Sequence, residues 1–253
     1  DEHTSRGLGD VYKRQKLGRY DAVLPRIGAS QTSYGTAIVR QFEMIGDFII
    51  NKSDAIKSSR DKLRSLQVLA KHGIDMPITG YASHTMDIHD VIEKVGKTPL
   101  IMKLLQGTQG NGMVLAETMK AAESVMNAFK QVDADILIQE FIKESSGVDI
   151  RAIVVGKKVV AALQRVAPEG EFRSNVHRGA VTKHINLTHE EEEIAIKSTK
   201  VLGLSVAGVD LMRSKRGPLV LEVNSSPGLQ GIELLTGADV AGEIISFIES
   251  SLK

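Results

Sequence analysis

SVAGVDLMRSKRGPLVLEVNSSPG, residues 205–228, reads as an apolar run, a polar turn over Ser214–Pro218 and a second apolar run. That is a β-hairpin pattern with a longer loop. Glu222 and Asn224 are two apart, so on a strand they share a face. Asp210 and Glu222 are equidistant from position 216, in the turn, so closing the hairpin sets them opposite each other. Two carboxylates facing each other in an apolar sheet repel and lose hydration unless a cation lies between them. An oxygen-only set of Asp, Glu and Asn suits Mg²⁺, which keeps several waters and shares its shell with substrate phosphates. The solvated polar face of an exposed hairpin would give the same pattern, so the choice rests on the remaining chain.

The 253 residues are 42% hydrophobic and 25% charged, enough for one large or two modest domains with a real core. A net charge of +1 gives no electrostatic case for nucleic acid or an anionic membrane. The absence of cysteine excludes disulfides, thiol catalysis and Cys-based metal sites, and the seven histidines show no HExxH-like spacing. No apolar run approaches ~20 residues and no signal peptide opens the chain, so a cytoplasmic protein is expected. Residues 1–16, DEHTSRGLGDVYKRQK, are polar and aperiodic and read as a fragment end, a tail or an artefact.

From there, residues 20–25 read as a strand, 36–45 as a helix and 48–50 as a strand, a βαβ scrap like the end of a doubly wound domain. A helix is expected over Ser59–His72, stopped by Gly73, and an acidic helix near Asp87–Val95. Strands at 99–105 and 113–116 flank GTQGNG (107–112), and a helix follows over Thr118–Phe129. Residues 136–142 read as a buried strand, and 149–155 and 159–166 as a hairpin around Gly156-Lys157. A basic loop at 169–179 follows. Thr188 and Glu191 form a capping box for a helix over 190–202, and a last helix runs over 239–252. Hairpins interleaved with helices indicate α+β subdomains.

GTQGNG has the form of a phosphate-cradling loop, with Gly107, Gly110 and Gly112 letting backbone N–H groups approach an anion. It is neither a P-loop nor a Rossmann fingerprint, because no Gly-Lys-Ser/Thr follows and the next element is a strand. An ordinary hairpin loop reads the same way. Lys103 lies in the apolar strand before it and needs an anionic partner, unless it snorkels from an edge. Gln139, Glu140, Phe141 and Ile142 close a strand that could offer its backbone to an adenine edge, or be plain core. Asp149 and Arg151 share a strand face, as an ion pair or as site residues. Arg165, Arg173 and Arg178, with Asn175 and His177, lie in or beside a glycine-flanked segment, and guanidinium groups bind phosphate bidentately. Near a Mg²⁺–triphosphate they would stabilise charge on a transferred phosphoryl group; the plain alternative is a solvated basic loop.

Their order is more specific than any one of them. DAVLPRIG (21–28), YGTAIVRQFEMIG (34–46), RDKLRSLQVLAKHGI (60–74), KLLQGTQGNGMVLAET (103–118), ILIQEFIKE (136–144), DIRAIVVG (149–156), EFRSNVHRGA (171–180), AGVDLMRS (207–214) and LVLEVNSSPGLQGIE (219–233) together resemble the ATP-grasp superfamily, and more closely its RimK-type glutamate ligases. The resemblance implies an α+β fold of two subdomains gripping ATP. These would be an N-terminal one over 58–138 with the glycine flap and a C-terminal one over 139–253 with the metal site. A remnant of a doubly wound domain over 17–57 would precede them, most of that domain being absent. It also implies that Lys62 and Lys103 contact ATP phosphates, Gln139 to Ile142 the adenine, and Asp149 the nucleotide, through its ribose. Arg173, Ser174 and Asn175 would line the phosphate and acceptor side. Asp210, Glu222 and Asn224 would hold two Mg²⁺ or Mn²⁺ ions.

The chemistry so implied needs no protein nucleophile. ATP turns a carboxylate into an acyl phosphate and an amine displaces the phosphate, so the demands are positioning and charge neutralisation. The expected reaction is ATP-dependent addition of L-glutamate to the C-terminal glutamate of a protein. By resemblance, that protein is the sixth of the small ribosomal subunit; a homo-oligomer is compatible with this reading. The alternatives are the same chemistry on a pterin- or deazaflavin-type cofactor or an amino-group carrier protein, and a non-catalytic ATP-binding regulator.

Overall fold

The computed structural model describes residues 20–83, 88–105, 112–131, 134–176 and 179–253. Strands β1 (Ala22–Val23) and β2 (Phe48–Ile49) pair in parallel around helix α1 (Thr32–Ile45), the βαβ unit expected from the sequence. Val39, Phe42 and Ile49 form its small core. Where one helix is expected over 59–72 there are two, α2 (Ser53–Arg60) and α3 (Lys62–Lys71). Asp61 separates them. Its backbone is extended and its carboxylate accepts from the Arg64 amide at 3.0 Å, so it caps α3 instead of continuing α2.

Next come β3 (Thr79–Ala82), α4 (Ile88–Val95), β4 (Leu100–Leu104), β5 (Met113–Ala116), α5 (Met119–Lys130) and β6 (Ile136–Glu140). The strands form a four-stranded sheet in the order β3-β6-β4-β5. Val91, Ile92 and Val95 of α4 and Ala122 and Met126 of α5 cover one face of it. The α4 contact is close: a Cβ at Gly80 would lie 2.6 Å from Val91 Cγ1, which only glycine avoids.

The chain then crosses through a 3₁₀ turn at Lys143–Ser145 into the larger sheet. This comprises β7 (Val148–Val155), β8 (Lys158–Val166), β9 (Val181–His184), β10 (Val206–Ser214) and β11 (Gly217–Asn224), in the order β11-β10-β7-β8-β9. Its helix α6 (His189–Val201) opens with the expected Thr188–Glu191 capping box and packs Ala195 on one face, against Ile150, Ala152, Val154, Val209 and Leu211. Ala55 of α2 and Leu69 of α3 join that core. Helices α7 (Gln230–Thr236) and α8 (Val240–Ser251) close the chain. Ile232, Val240, Ile244 and Ile248 cover part of the opposite face, over Ile153, Val155, Ala161 and Leu163. By the strand alternation, the uncovered part of that face carries Asp149, Arg151, Arg165 and Asp210.

The β10–β11 hairpin departs from expectation in a way that matters. Its turn is the two residues Lys215-Arg216, not a longer loop, with Ser214 paired to Gly217. In that register alone Asp210 would face Leu221, and Glu222 would turn toward the core side with Val220. The register shifts instead: Leu211 pairs with Val220 but Asp210 pairs with Glu222, leaving Leu221 as the extra residue of a bulge. The bulge keeps Val220 and Val223 in the core and turns Glu222 and Asn224 to the Asp210 face. Strand β9 and helix α7 are not foreseen from the sequence. β9 is largely exposed and has no apolar alternation, and α7 is short.

Candidate active site

Asp210 sits at the centre of a buried row of charges. Arg151, its partner on the neighbouring strand, donates Nε to Oδ1 and Nη2 to Oδ2, each at 2.7 Å. Arg165 Nη2 adds a third bond to Oδ2 at 2.9 Å, while its Nε and Nη2 grip Asp149 at 2.6 Å each. Asp149, Arg165 and Asp210 are buried at 6%, 5% and 6% exposure, and two carboxylates against two guanidinium groups leave the row neutral. Burial resists ionising Asp210, yet Arg151 and Arg165 outweigh it and hold the carboxyl below its ordinary range. Burial likewise disfavours charged Arg165, but Asp210 and Asp149 raise it overall. A cation facing Asp210 is thus a physical need that two arginines meet. Arg151 pairs across strands, not with Asp149 on its own strand.

Glu222, across from Asp210, reaches the solvent of the cleft and accepts no hydrogen bond among the described residues. Partial desolvation by the cleft walls and then the nearby charge of Asp210 raise its pKa, against Arg151, Lys103 and Lys62. It lines a cleft of about 390 Å³ with Lys62, Lys103, Gly112, Gln139, Asn224 and Ser225. Lys103 donates to Gln139 Oε1 at 2.6 Å, and the Gln139 amide donates to Thr79 Oγ1 at 2.9 Å. Burial pushes the Lys103 ammonium down to about 8, with Glu222 opposing and Lys62 adding. Lys62 donates to the Leu104 carbonyl at 2.9 Å, and burial lowers its pKa too. Two lysines against one carboxylate leave this wall net positive, as an anion requires.

Two oxygen-bearing side chains of the expected metal set are therefore uncommitted. Asn224 Nδ2 is buried without a partner among the described residues, as are the Ser225 and Ser226 hydroxyls. The orphaned Asn224 N–H calls for an acceptor such as a phosphate oxygen, and the unbonded Glu222 carboxylate beside it calls for a cation. Asp210 accepts three N–H bonds, one fewer than a carboxylate's four lone-pair sites. The donor set fits Mg²⁺, although no group of three His, Cys, Asp or Glu is arranged for a metal among the described residues.

The other expected residues divide. Ser174 is buried and hydrogen-bonds the Asp149 carboxylate. Arg173 is turned to Glu171, donating Nε at 2.9 Å and Nη2 at 2.7 Å, and lies 5.0 Å over the Phe172 ring. Asn175 is half-buried in the same loop, and Phe141 and Ile142 follow β6 directly. The Glu140 carboxylate is taken by the Arg216 guanidinium and by the Ile78 amide at 2.7 Å, and its own amide donates to the Ile78 carbonyl at 2.9 Å. Gly107, Gly110, His177 and Arg178 lie outside the described residues.

Several site residues escaped the sequence reading. Buried Asn51 ties the hairpin base: its Oδ1 accepts from Ser205 and Val206 amides and its Nδ2 donates to Val206 and Ser225 carbonyls, all at 2.7–3.1 Å. Arg26 donates to the Pro227 carbonyl at 2.5 Å. A Cβ on Gly208 would sit 2.9 Å from Pro227 Cβ, so the SSPG segment folds flat over β10. Arg60 binds the Ile27 and Gly28 carbonyls and Thr32 Oγ1, fixing the PRIG loop as the far wall of the cleft.

A four-stranded and a five-stranded antiparallel sheet with a lysine-lined cleft between them define an ATP-grasp ligase. The chain belongs to the RimK-like family of that class: the RimK-like ATP-grasp domain matches residues 59–248. The RimK pre-ATP-grasp domain matches residues 5–56, starting inside the stretch expected to be an unmatched tail. A probable alpha-L-glutamate ligase of Coxiella burnetii is 64% identical over 242 residues, which cover 96% of this chain and 80% of that protein. One from Vibrio parahaemolyticus is 60% identical over the same shares. Among solved structures, D-alanine–D-alanine ligase from Bacillus anthracis matches with a TM-score of 0.74 at 20% identity, covering 98% of this chain and 84% of that one. The ATP-grasp ligase PsnB with minimal precursor, Mg and ADP matches with a TM-score of 0.72 at 20% identity, covering 94% and 80%. At such identities the structures share the fold.

Proposed function

We propose that the chain joins L-glutamate to the C-terminal glutamate of a protein, with ATP as the phosphoryl donor and a small-subunit ribosomal protein as acceptor. The observation that carries this reading is the cleft in which Lys62, Lys103 and Gln139 of one side meet Glu222 and Asn224 of the other. The names of the relatives in Coxiella and Vibrio point to glutamate, and the precursor bound to PsnB points to a peptide-like acceptor. The division at 57/58 and 138/139 belongs to the proposal, with α3 reaching from the first ATP-grasp unit into the core of the second.

In this reading the acceptor carboxylate attacks the γ-phosphorus of ATP and ADP leaves. The amine of glutamate then attacks the acyl carbon, phosphate leaves with the acyl oxygen's electron pair, and the amine's extra proton passes to phosphate or water. Lys62 and Lys103 hold the triphosphate, and the backbone of Glu140 to Ile142 holds the adenine. Asp149 reaches the ribose while Ser174 and Arg165 orient it. Arg165 commits Nε and Nη2 to carboxylates, so it offers a phosphoryl group only Nη1. Arg173 reaches a phosphate by exchanging Glu171 for it, with Asn175 and Arg178 on the same loop. Asp210, Glu222 and Asn224 would hold Mg²⁺ or Mn²⁺, two ions, which supply charge neutralisation along the phosphates. The cytoplasm, where ribosomal acceptors and ATP are both found, is the proposed compartment.

Mass spectrometry of candidate acceptors incubated with ATP, Mg²⁺ and glutamate tests this. Stepwise mass gains of glutamate residues on a ribosomal acceptor are expected. Gains only on a cofactor or carrier protein would move the acceptor assignment, and ADP release with no acceptor modified would refute the ligase reading.

A further inference from the structure

The β10–β11 hairpin is fastened at both ends. Asn51 holds its base, and its tip is held by the segment where the chain crosses between the sheets. Arg216 Nη1 reaches Glu140 Oε2 at 3.1 Å, and Nη2 bonds Oε1. The Lys215 amide donates to Glu144 Oε1 at 2.9 Å, and Ser145 Oγ donates to the Arg213 carbonyl at 2.5 Å. Glu140 ends a strand of the four-stranded sheet, and Arg216 is the turn of a hairpin in the five-stranded one. Glu140 is the better buried partner, and its Oε1 also accepts from Ile78, so the carboxylate is held in one place.

We propose that Arg216 is a positioning residue: by gripping Glu140 it fixes the Gln139–Ile142 segment against the hairpin that carries Asp210, Glu222 and Asn224. It thereby sets the distance between the base end and the phosphate end of the nucleotide site. This rests on the reading of residues 139–142 as the base-binding segment. Arg216 itself does not line the cleft, and its guanidinium is half exposed.

Calorimetry of the whole chain with Mg²⁺ and either ADP or inorganic tripolyphosphate tests this. For Arg216→Gln, ADP affinity should fall by about fivefold, the ceiling for an exposed ion pair, while tripolyphosphate affinity stays at the wild-type value. KM for ATP should rise by the same factor with kcat retained, the signature of lost ground-state positioning. Arg216→Lys should recover part of the loss, because one ammonium replaces a bidentate fork. Glu140→Gln with Arg216→Gln should bind ADP no more weakly than the worse single variant. Equal losses for ADP and tripolyphosphate would make Arg216 a general structural residue and overturn the proposal, as would unchanged ADP binding or additive effects. A wild-type chain that binds tripolyphosphate but gains nothing from the nucleoside would overturn the base-segment reading, and this proposal with it.

Discussion

Lys103 and Glu222 face the same cleft under opposite constraints. Burial destabilises the Lys103 ammonium and brings it to about 8, within reach of ordinary assay conditions. Its folded pKa is below that of a free lysine, so the charged form persists up to about pH 8 and is lost as pH rises further. A neutral amine does not attract phosphate. ATP affinity should therefore hold from pH 6 to 8 and fall above it by up to about tenfold per pH unit. Lys103→Arg, which stays charged, should flatten that fall; an equally steep loss in the variant would assign it to another group. Glu222 accepts no hydrogen bond among the described residues, so Glu222→Ala should leave the fold intact and abolish turnover, because nothing else on β11 offers the phosphates' counter-ions a carboxylate. Melting temperature and ADP release separate those two effects, and near-normal ADP release would remove Glu222 from the metal set.

At the scale of elements, the site depends on one bulge. The pairing of Asp210 with Glu222 follows from counting to position 216, but that count succeeds because two departures cancel. The turn is centred between Lys215 and Arg216, and Leu221 restores the register. Turn length and bulges leave faint marks on an alternating pattern, so this part was not legible. Nor was the pairing of Arg151 with Asp210, which depends on β10 lying beside β7. The same-face placement of Glu222 with Asn224 and the capping box at Thr188 were legible, because both are local periodicities. Deleting Leu221 should make the register continuous and leave Glu222 opposite Asp210 and Asn224 on the same face, because the strands then pair one to one. The variant should therefore stay folded and keep Mg²⁺-dependent ADP release. An insoluble or inactive variant would show that the site needs the local bend of the bulge as well as the register it restores.

For the whole molecule, the order of motifs along the chain made the two-sheet architecture legible, while what joins the sheets was hidden. Arg216 with Glu140, Asn51 with Ser205, Val206 and Ser225, and Arg26 with Pro227 link residues far apart in sequence through isolated polar side chains, which leave no periodic signal. β9 and α7 were missed because an exposed edge strand and a short helix lack the apolar pattern that marks buried elements. These few contacts hold the walls of the cleft together, so a ligand bridging both sides should stabilise the chain beyond what either wall feels alone. A ligand bound only to the native state at 100 times its dissociation constant contributes about 2.7 kcal/mol. In a chain of this size each kcal/mol raises the melting temperature by about 2–4 °C, so saturating Mg²⁺–ADP should raise it by roughly 5–10 °C. Glu222→Ala should lose most of the Mg²⁺-dependent part of that rise and keep the part owed to Lys62, Lys103 and residues 139–142. If Mg²⁺–ADP leaves the wild-type melting temperature where it was, the cleft does not bind nucleotide across its two walls.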